Sequence, residues 1–284
     1  MVYLSDMELK DFILVKKIGS GRNSTVFKAL HVETGENTAI KVVDKNAKPS
    51  LIDREIYSNM KLYHRDIIRY DGWFEDDEKA YLLFEYAPIG DLWGHLQDSG
   101  KLREEDVKDI LKPVIRAVSY IHSKQWIHRD IKPENILLFN GLQSKLGDLE
   151  FALNTNKHVP SLRAGTPEYM APEILECDAD KVAFLDLKGI PGYGLEIDCW
   201  SIGVLAYECL MNKTPFNGEM EEVLEDIRAY NIDFENISEN AKDFLRGCLD
   251  INPETRIKSK DMLSHEWFME SKRCCFAQKR MKYF

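Results

Sequence analysis

The stretch "IHRDIKPENILL", residues Ile127–Leu138, places an acid, Asp130, two residues before a lysine, Lys132, and five residues before an amide, Asn135. Such a set supplies a proton acceptor for a hydroxyl, a cation for a phosphoryl group and a neutral oxygen ligand for a metal ion. Downstream, "KLGDLEFAL" (Lys145–Leu153) brings another acid, Asp148, 18 residues beyond Asp130. "GTPEYMAPE" (Gly165–Glu173) and "DCWSIGVL" (Asp198–Leu205) follow in order.

Upstream, "TAIKVV" (Thr38–Val43) places Lys41 within an otherwise apolar strand, where an ammonium is costly without a counter-charge. Glu55, 14 residues on, follows Leu51 and Ile52 by one helical turn and can point to the same inward side. The alternative is a Lys41 that snorkels to solvent and a Glu55 on a wet face. Earlier still, "IGSGRNSTVFKAL" (Ile18–Leu30) is a glycine-rich turn between two β-type runs. Gly19 and Gly21 let backbone amides approach phosphates, although such a hairpin is often only a turn. Ser24 stands where a third glycine would complete G-x-G-x-x-G.

Taken together, the ordered motifs resemble the eukaryotic protein kinase family across about residues 12 to 268. The resemblance implies an α+β bilobal fold, with a small five-stranded β lobe carrying one main helix and a larger, mainly α lobe. It places the small lobe at 1–85, the large lobe at 86–268 and a tail at 269–284. ATP and Mg2+ are implied with it. Gly19 and Gly21 would cover the phosphates, and Lys41 would hold them while pairing with Glu55. Asp130 would accept or orient the substrate hydroxyl proton, Lys132 would neutralise the transferring group, and Asn135 and Asp148 would hold magnesium. Thr166 would brace the docking loop against Asp130.

In "LLFEYAPIGDL" the resemblance places the lobe connector, with Phe84 as gatekeeper, the Glu85–Ala87 backbone facing adenine and Asp91 at the ribose. Ile18, Val26 and Ala39 complete the ATP-binding set. Glu173 and Arg256 resemble a buried ion pair, and Asp198 an anchor beneath the catalytic loop. Lys132 and "GTPEY" resemble the serine/threonine branch, and the small lobe and "PFNG" to "HEWF" lean towards Aurora-like, Polo-like or calcium/calmodulin-type kinases. Arg129 resembles an arginine that senses a phosphate in the activation segment, Asp148 to Glu173. Thr155 and Ser161 are the candidate acceptors there, with Ser161 favoured because Leu162 occupies the usual position. Asp91, Glu134 and the acidic chain suggest protein substrates with basic residues before the acceptor.

The chain departs from the pattern in two places. Leu149 and Glu150 replace the usual phenylalanine and glycine after Asp148. A side chain at 150 restricts loop rotation and puts a charge beside the magnesium–phosphate site. The expectation is a metal-facing loop with activity retained; the alternative is a pseudokinase, a nucleotide-binding scaffold. In addition, 24 residues separate Glu173 from Asp198 where the family usually has about a dozen, so 177–196 includes an insertion that offers a place for a regulatory partner.

The coarse pattern and composition agree with this reading. Before residue 90, "FILVKKI", "TVFKAL", "NTAIKVV", "YDGWF" and "KAYLLFEY" predict five strands. One helix lies among them, with Ser50 and Asp53 as a capping box and Ile52, Ile56 and Met60 on one face. Helices are predicted around Val107–Ile121, with Pro113 kinking the helix or marking a late start, and near 197–211, 219–230, 238–249 and 258–265. The 284 residues, 44% hydrophobic and 30% charged, suit one core dividing into two lobes. A net charge of -10 argues against nucleic acid and anionic membranes as partners. Six cysteines without metal spacing fit a reducing intracellular setting, cytoplasmic or nuclear. Cys274-Cys275 read as part of a solvated tail, the start lacks the order of a signal peptide, and "SIGVLAYECLM" is too short to span a bilayer.

Overall fold

Runs of β-branched and aromatic residues before residue 90 build an antiparallel sheet of five strands: β1 (Phe12–Ser20), β2 (Ser24–His31), β3 (Asn37–Asp44), β4 (Tyr70–Glu75) and β5 (Lys79–Glu85). Their order is β1-β2-β3-β5-β4. The computed structural model describes residues 4, 7–21, 24–46, 49–161, 163–177 and 192–269. Most of the 177–196 insertion and all but the first residue of the 269–284 tail therefore lie outside the described residues.

Strand alternation divides β5 between two small cores. Tyr81 and Leu83 join Phe12, Ala29, Ile40 and Phe74 on one face, while Ala80 and Leu82 pack with Ile52 and Ile56 of helix α1 (Pro49–Lys61) on the other. Two details differ from the sequence pattern. The helix starts at Pro49, so Ser50 lies inside its first turn, where the sequence pattern had it at the start; the fixed φ of proline suits a first helical position. Met60 is exposed and does not continue the Ile52–Ile56 face.

The larger lobe is built on helices α2 (Leu92–Ser99) and α3 (Glu104–Ser123), followed by Glu196–Met211, Met220–Ala229 and Glu239–Cys248. Val107, Ile110, Leu111, Val114, Ile115, Val118 and Ile121 of α3 are all fully buried. Burial of each such side chain is worth roughly 1.5–3 kcal/mol relative to exposure. The helix runs through Pro113 from Glu104, so the proline does not mark a late start; it is itself buried in this packed face. Helix Glu196–Met211 is buried nearly all round, as expected of a core helix. The expected helix at 258–265 is instead Ser259–Met262, a tight turn, and Glu266–Met269. The break lets Trp267 and Phe268 reach Phe244, at ring separations of 5.0 and 5.2 Å. Among the described residues no helix is long and apolar enough to cross a membrane.

Two small strand pairs position the motifs. Ile136–Leu138 pairs with Ser144–Leu146, so the residues just outside this hairpin, Asn135 and Gly147, meet through a 2.8 Å backbone bond. Trp126–Ile127 pairs with Leu153–Asn154, bringing the start of the Asp130 loop beside the end of the Asp148 loop. Ile68 N–H donates to the Leu146 carbonyl at 2.8 Å, tying the chain before β4 to the same hairpin.

Candidate active site

The Asp130 loop adopts an unfavourable backbone conformation that its surroundings hold in place. Arg129 has a φ of +74° and Asp148 a φ of +51°, a region that L side chains seldom occupy. Asp198, fully buried at the start of helix Glu196–Met211, accepts the backbone N–H groups of His128 at 2.8 Å and Arg129 at 2.9 Å. It also accepts from His122 Nε2 at 2.9 Å, while His122 Nδ1 meets the Ser259 hydroxyl at 2.9 Å. Burial works against ionisation of Asp198, but His122 and the backbone donors hold its carboxyl below the usual range. His128 Nε2 donates to the Gly147 carbonyl at 2.9 Å, so Nδ1 is the acceptor for Asp130 N–H at 3.3 Å. Gly165 has no substitute here: its φ is +111°, and a Cβ would lie 2.5 Å from the Arg129 carbonyl oxygen.

Asp130 is buried and its carboxylate is held from several directions. Asn135 Nδ2 donates to Oδ2 at 2.9 Å and to the Asp130 carbonyl at 2.7 Å. Lys132 Nζ lies 3.0 Å from Oδ2 and donates to the Thr166 hydroxyl at 2.8 Å. Thr166 donates to Oδ1 at 3.3 Å. The acid opens onto a cleft of roughly 500 Å³ whose walls include Gly21, Lys41, Glu55, Asp148, Glu150 and Arg163.

Within that cleft Lys41 serves three carboxylates. Nζ lies 2.7 Å from Glu55, 3.3 Å from Asp148 and 3.3 Å from Glu150. Burial opposes the ammonium charge, but Asp148, Glu55 and Glu150 outweigh it and keep Lys41 protonated well above its usual range. Burial pushes Glu55 up to about 7 against the pull of Lys41, with Asp148 and Glu150 pushing the same way. Asp148 is only partly buried, its side chain 34% exposed, and Lys41 holds its carboxyl below the usual range against the desolvation it does suffer. Leu149 is fully buried in the large core, filling an apolar position as leucine can.

The adenine-side residues form a separate group and are not among the residues lining this cleft. Strand register sets Gly19 and Lys41 each opposite Val26, and Ala39 opposite Phe84. Ile18 is exposed on β1, and the Phe84 ring packs 5.4 Å from that of Tyr70. The Phe84 carbonyl accepts from Thr38 at 2.9 Å, and Glu85 N–H donates to the Arg69 carbonyl at 3.0 Å, which leaves Ala87 as the connector's buried end. The Glu85 side chain accepts from Lys145 at 2.5 Å. Asp91 caps α2 by accepting from Gly94 N–H at 2.8 Å.

In the activation segment, Thr155 donates its hydroxyl to the Gln125 carbonyl at 3.1 Å. Ser161 is only 4% exposed, so a modifying enzyme reaches it only after the segment opens. Arg129 donates to the Phe151 carbonyl at 2.7 Å and the Tyr193 hydroxyl at 3.1 Å. Arg256 and Glu173 form a two-pronged pair at 2.6 and 3.0 Å. Tyr193 and Glu208 escaped the sequence reading. Tyr193 stands in a stretch without a motif, and Glu208, which accepts from the Tyr169 hydroxyl, sits within an apolar helical run. Burial raises the Glu208 carboxyl, Tyr169 holds it back, and Glu134 and Glu168 push it further up.

Comparison with known proteins adds a family. A model described as protein kinase domain matches residues 12–268. Calcium-dependent protein kinase 5 of Plasmodium falciparum is 32% identical over 96% of this chain and 48% of its own length. Aurora kinase C of Mus musculus is 33% identical over 93% of this chain and 94% of its own length. The Aurora kinase of Saccharomyces cerevisiae is 33% identical over 94% and 71%. The chain spans about half the length of the Plasmodium relative, 48%.

Proposed function

This chain belongs to the protein kinase family, and we propose that it is an ATP-dependent protein serine/threonine kinase, its lobes meeting at residues 85 and 86. The observation that carries the reading is one cleft holding Lys41, Glu55, Asp130, Lys132 and Asp148 together. Lys41, fixed by Glu55, holds the α and β phosphates beneath Gly19 and Gly21. Asp130, fixed by Asn135 and Thr166, accepts or orients the proton of the acceptor hydroxyl, a contribution of about 10²–10⁴-fold in rate. Lys132 stands beside it to meet the charge of the transferring group. Ile18, Val26, Ala39, Phe84 and the Glu85–Ala87 backbone take the adenine, and Asp91 the ribose while still capping α2.

The Asp148 carboxylate and the Asn135 side-chain oxygen are hard oxygen donors and fit Mg2+. Among the described residues no group of three or more His, Cys, Asp or Glu is arranged to hold a metal. A magnesium site of one or two protein oxygens completed by nucleotide phosphates is compatible with that. When bound, Mg2+ supplies charge neutralisation at the phosphate oxygens. We place the loop in its metal-facing state, supported by Asp148 lining the cleft while Leu149 lies in the core.

Glu134, Glu168 and Glu208 gather acidic charge near Tyr169, which supports protein substrates with basic residues before the acceptor. One feature favours a second reading. Glu150 occupies Lys41 at 3.3 Å, as a scaffold that had abandoned phosphoryl transfer would permit. Transfer from Mg·ATP to a mixed serine/threonine peptide library separates the two, with Asp148→Asn as control. Transfer well above the control supports the kinase, and basic sequences should be enriched among its products. ATP binding without transfer supports the scaffold.

A further inference from the structure

Glu150 stands where the family pattern has glycine, and its side chain is 28% exposed on the cleft wall with Oε2 3.3 Å from Lys41 Nζ. It is the third carboxylate on that ammonium, after Glu55 and Asp148. Among the described residues lining the cleft the other cations are Lys132, paired with Asp130 and bonded to Thr166, and Arg163, whose Nη1 meets the uncharged Met220 Sδ at 3.1 Å and is not among the ion partners of Glu150. Three carboxylates against one ammonium leave the immediate surroundings of Lys41 Nζ with an excess of negative charge, even where Glu55 is partly protonated.

A nucleotide triphosphate carries about four negative charges near neutral pH. To reach Lys41 it must displace Asp148 and Glu150 from the ammonium and then lie beside both carboxylates. Like charges a few ångströms apart in a partly desolvated cleft repel strongly, and a divalent cation between them reverses the sign. We propose that Glu150 makes nucleotide binding depend on a divalent cation, so that the cleft accepts the metal-complexed triphosphate and rejects the free one. This rests on the kinase reading. It assigns to Glu150 a selectivity role distinct from any effect on loop motion, and it acts through charge.

Calorimetric titration of the full chain tests it. ATP is titrated into wild type, Glu150→Gln and Glu150→Gly, each with excess Mg2+ and with EDTA, and uncharged adenosine is titrated in parallel. The expected result is that the ratio of Kd in EDTA to Kd in Mg2+ falls about tenfold or more in both variants. The change should come from tighter binding in EDTA, and adenosine binding should be unaltered, which also shows the variants to be folded. An unchanged ratio in Glu150→Gln overturns the inference, as does a fall confined to Glu150→Gly, which would assign the effect to loop freedom. If ATP binds wild type in neither condition, the kinase reading falls and takes this inference with it. If ATP binds and the ratio does not move, only the inference is lost.

Discussion

Replacing Glu173 with glutamine tests how the segment from Asp148 to Glu173 is fixed to the large lobe. Arg256 is fully buried, and its guanidinium donates to both Glu173 oxygens, to the carbonyls of Glu196, Asp250 and Ile251, and lies 5.2 Å from the Trp200 ring. The substitution removes the only carboxylate among these partners and turns one acceptor into a donor facing the cation. Breaking a buried pair by neutralising one partner costs about 3–5 kcal/mol. The three remaining carbonyls, the Trp200 face and the 20% exposure of the Glu173 side chain place this case near the lower end, at about 3 kcal/mol. For a chain of this size that is a fall of about 6 °C in unfolding midpoint. The surface pair Arg228–Glu176 is an internal control, with side chains 62% and 53% exposed. Glu176→Gln should move the midpoint by no more than about 2 °C, since such pairs are worth under about 1 kcal/mol. Scanning calorimetry of both variants reads the contrast, and equal shifts would refute the reasoning that burial makes the Glu173–Arg256 pair count.

Four further outcomes are expected. With Glu55 raised to about 7 from an ordinary 4.5, ATP-dependent activity should rise through about pH 7 as the carboxylate forms and pairs with Lys41. Linkage runs the other way: this group's stabilising contribution is complete below 4.5 and is lost as pH rises through about 7. The midpoint of wild type relative to Glu55→Gln should therefore decline from about pH 5 to about pH 8, and a rise would contradict the assignment. Tyr193→Phe leaves a buried Arg129 donor without its hydroxyl partner and should cost about 1–2 kcal/mol in denaturant unfolding. Ser161→Ala should leave activity within about twofold, because Arg129 is already satisfied by Phe151 and Tyr193; a large loss would support a phosphate at Ser161 as the activator. Leu149→Ala should destabilise by about 2–5 kcal/mol through an unfilled core site, whereas no measurable change would remove Leu149 from the core account.

The β lobe was legible because its strands are apolar runs punctuated by turns, and α1 because Ile52 and Ile56 mark one face. Its start differs from the pattern, since Ser50 resembles a cap by type and only the backbone shows Pro49 already within the helix. The break after Met262 was hidden for a related reason. It is imposed by Trp267 and Phe268 turning to meet Phe244, a tertiary demand that local periodicity does not carry. Of the candidate site residues, Lys41, Asp130, Asn135 and Asp148 could be named because each sits in a short ordered motif. The Arg129–Tyr193 bond joins residues 64 apart, and nothing beside Tyr193 announces it. Glu150 was visible as a departure, but its direction towards Lys41 depends on the fold of the Asp148 loop.

The central claim is that Asp130 acts on the acceptor hydroxyl in a cleft that binds ATP independently of it. The most direct measurement pairs the rate of γ-phosphoryl transfer to a serine or threonine peptide with the Kd for Mg·ATP, in wild type and in Asp130→Asn. The account predicts a fall in kcat of about 10²-fold or more, with Kd within about threefold because the nucleotide contacts lie on Lys41 and the adenine-side strands. Equal rates in the two proteins, or no transfer by wild type that binds Mg·ATP, would contradict it.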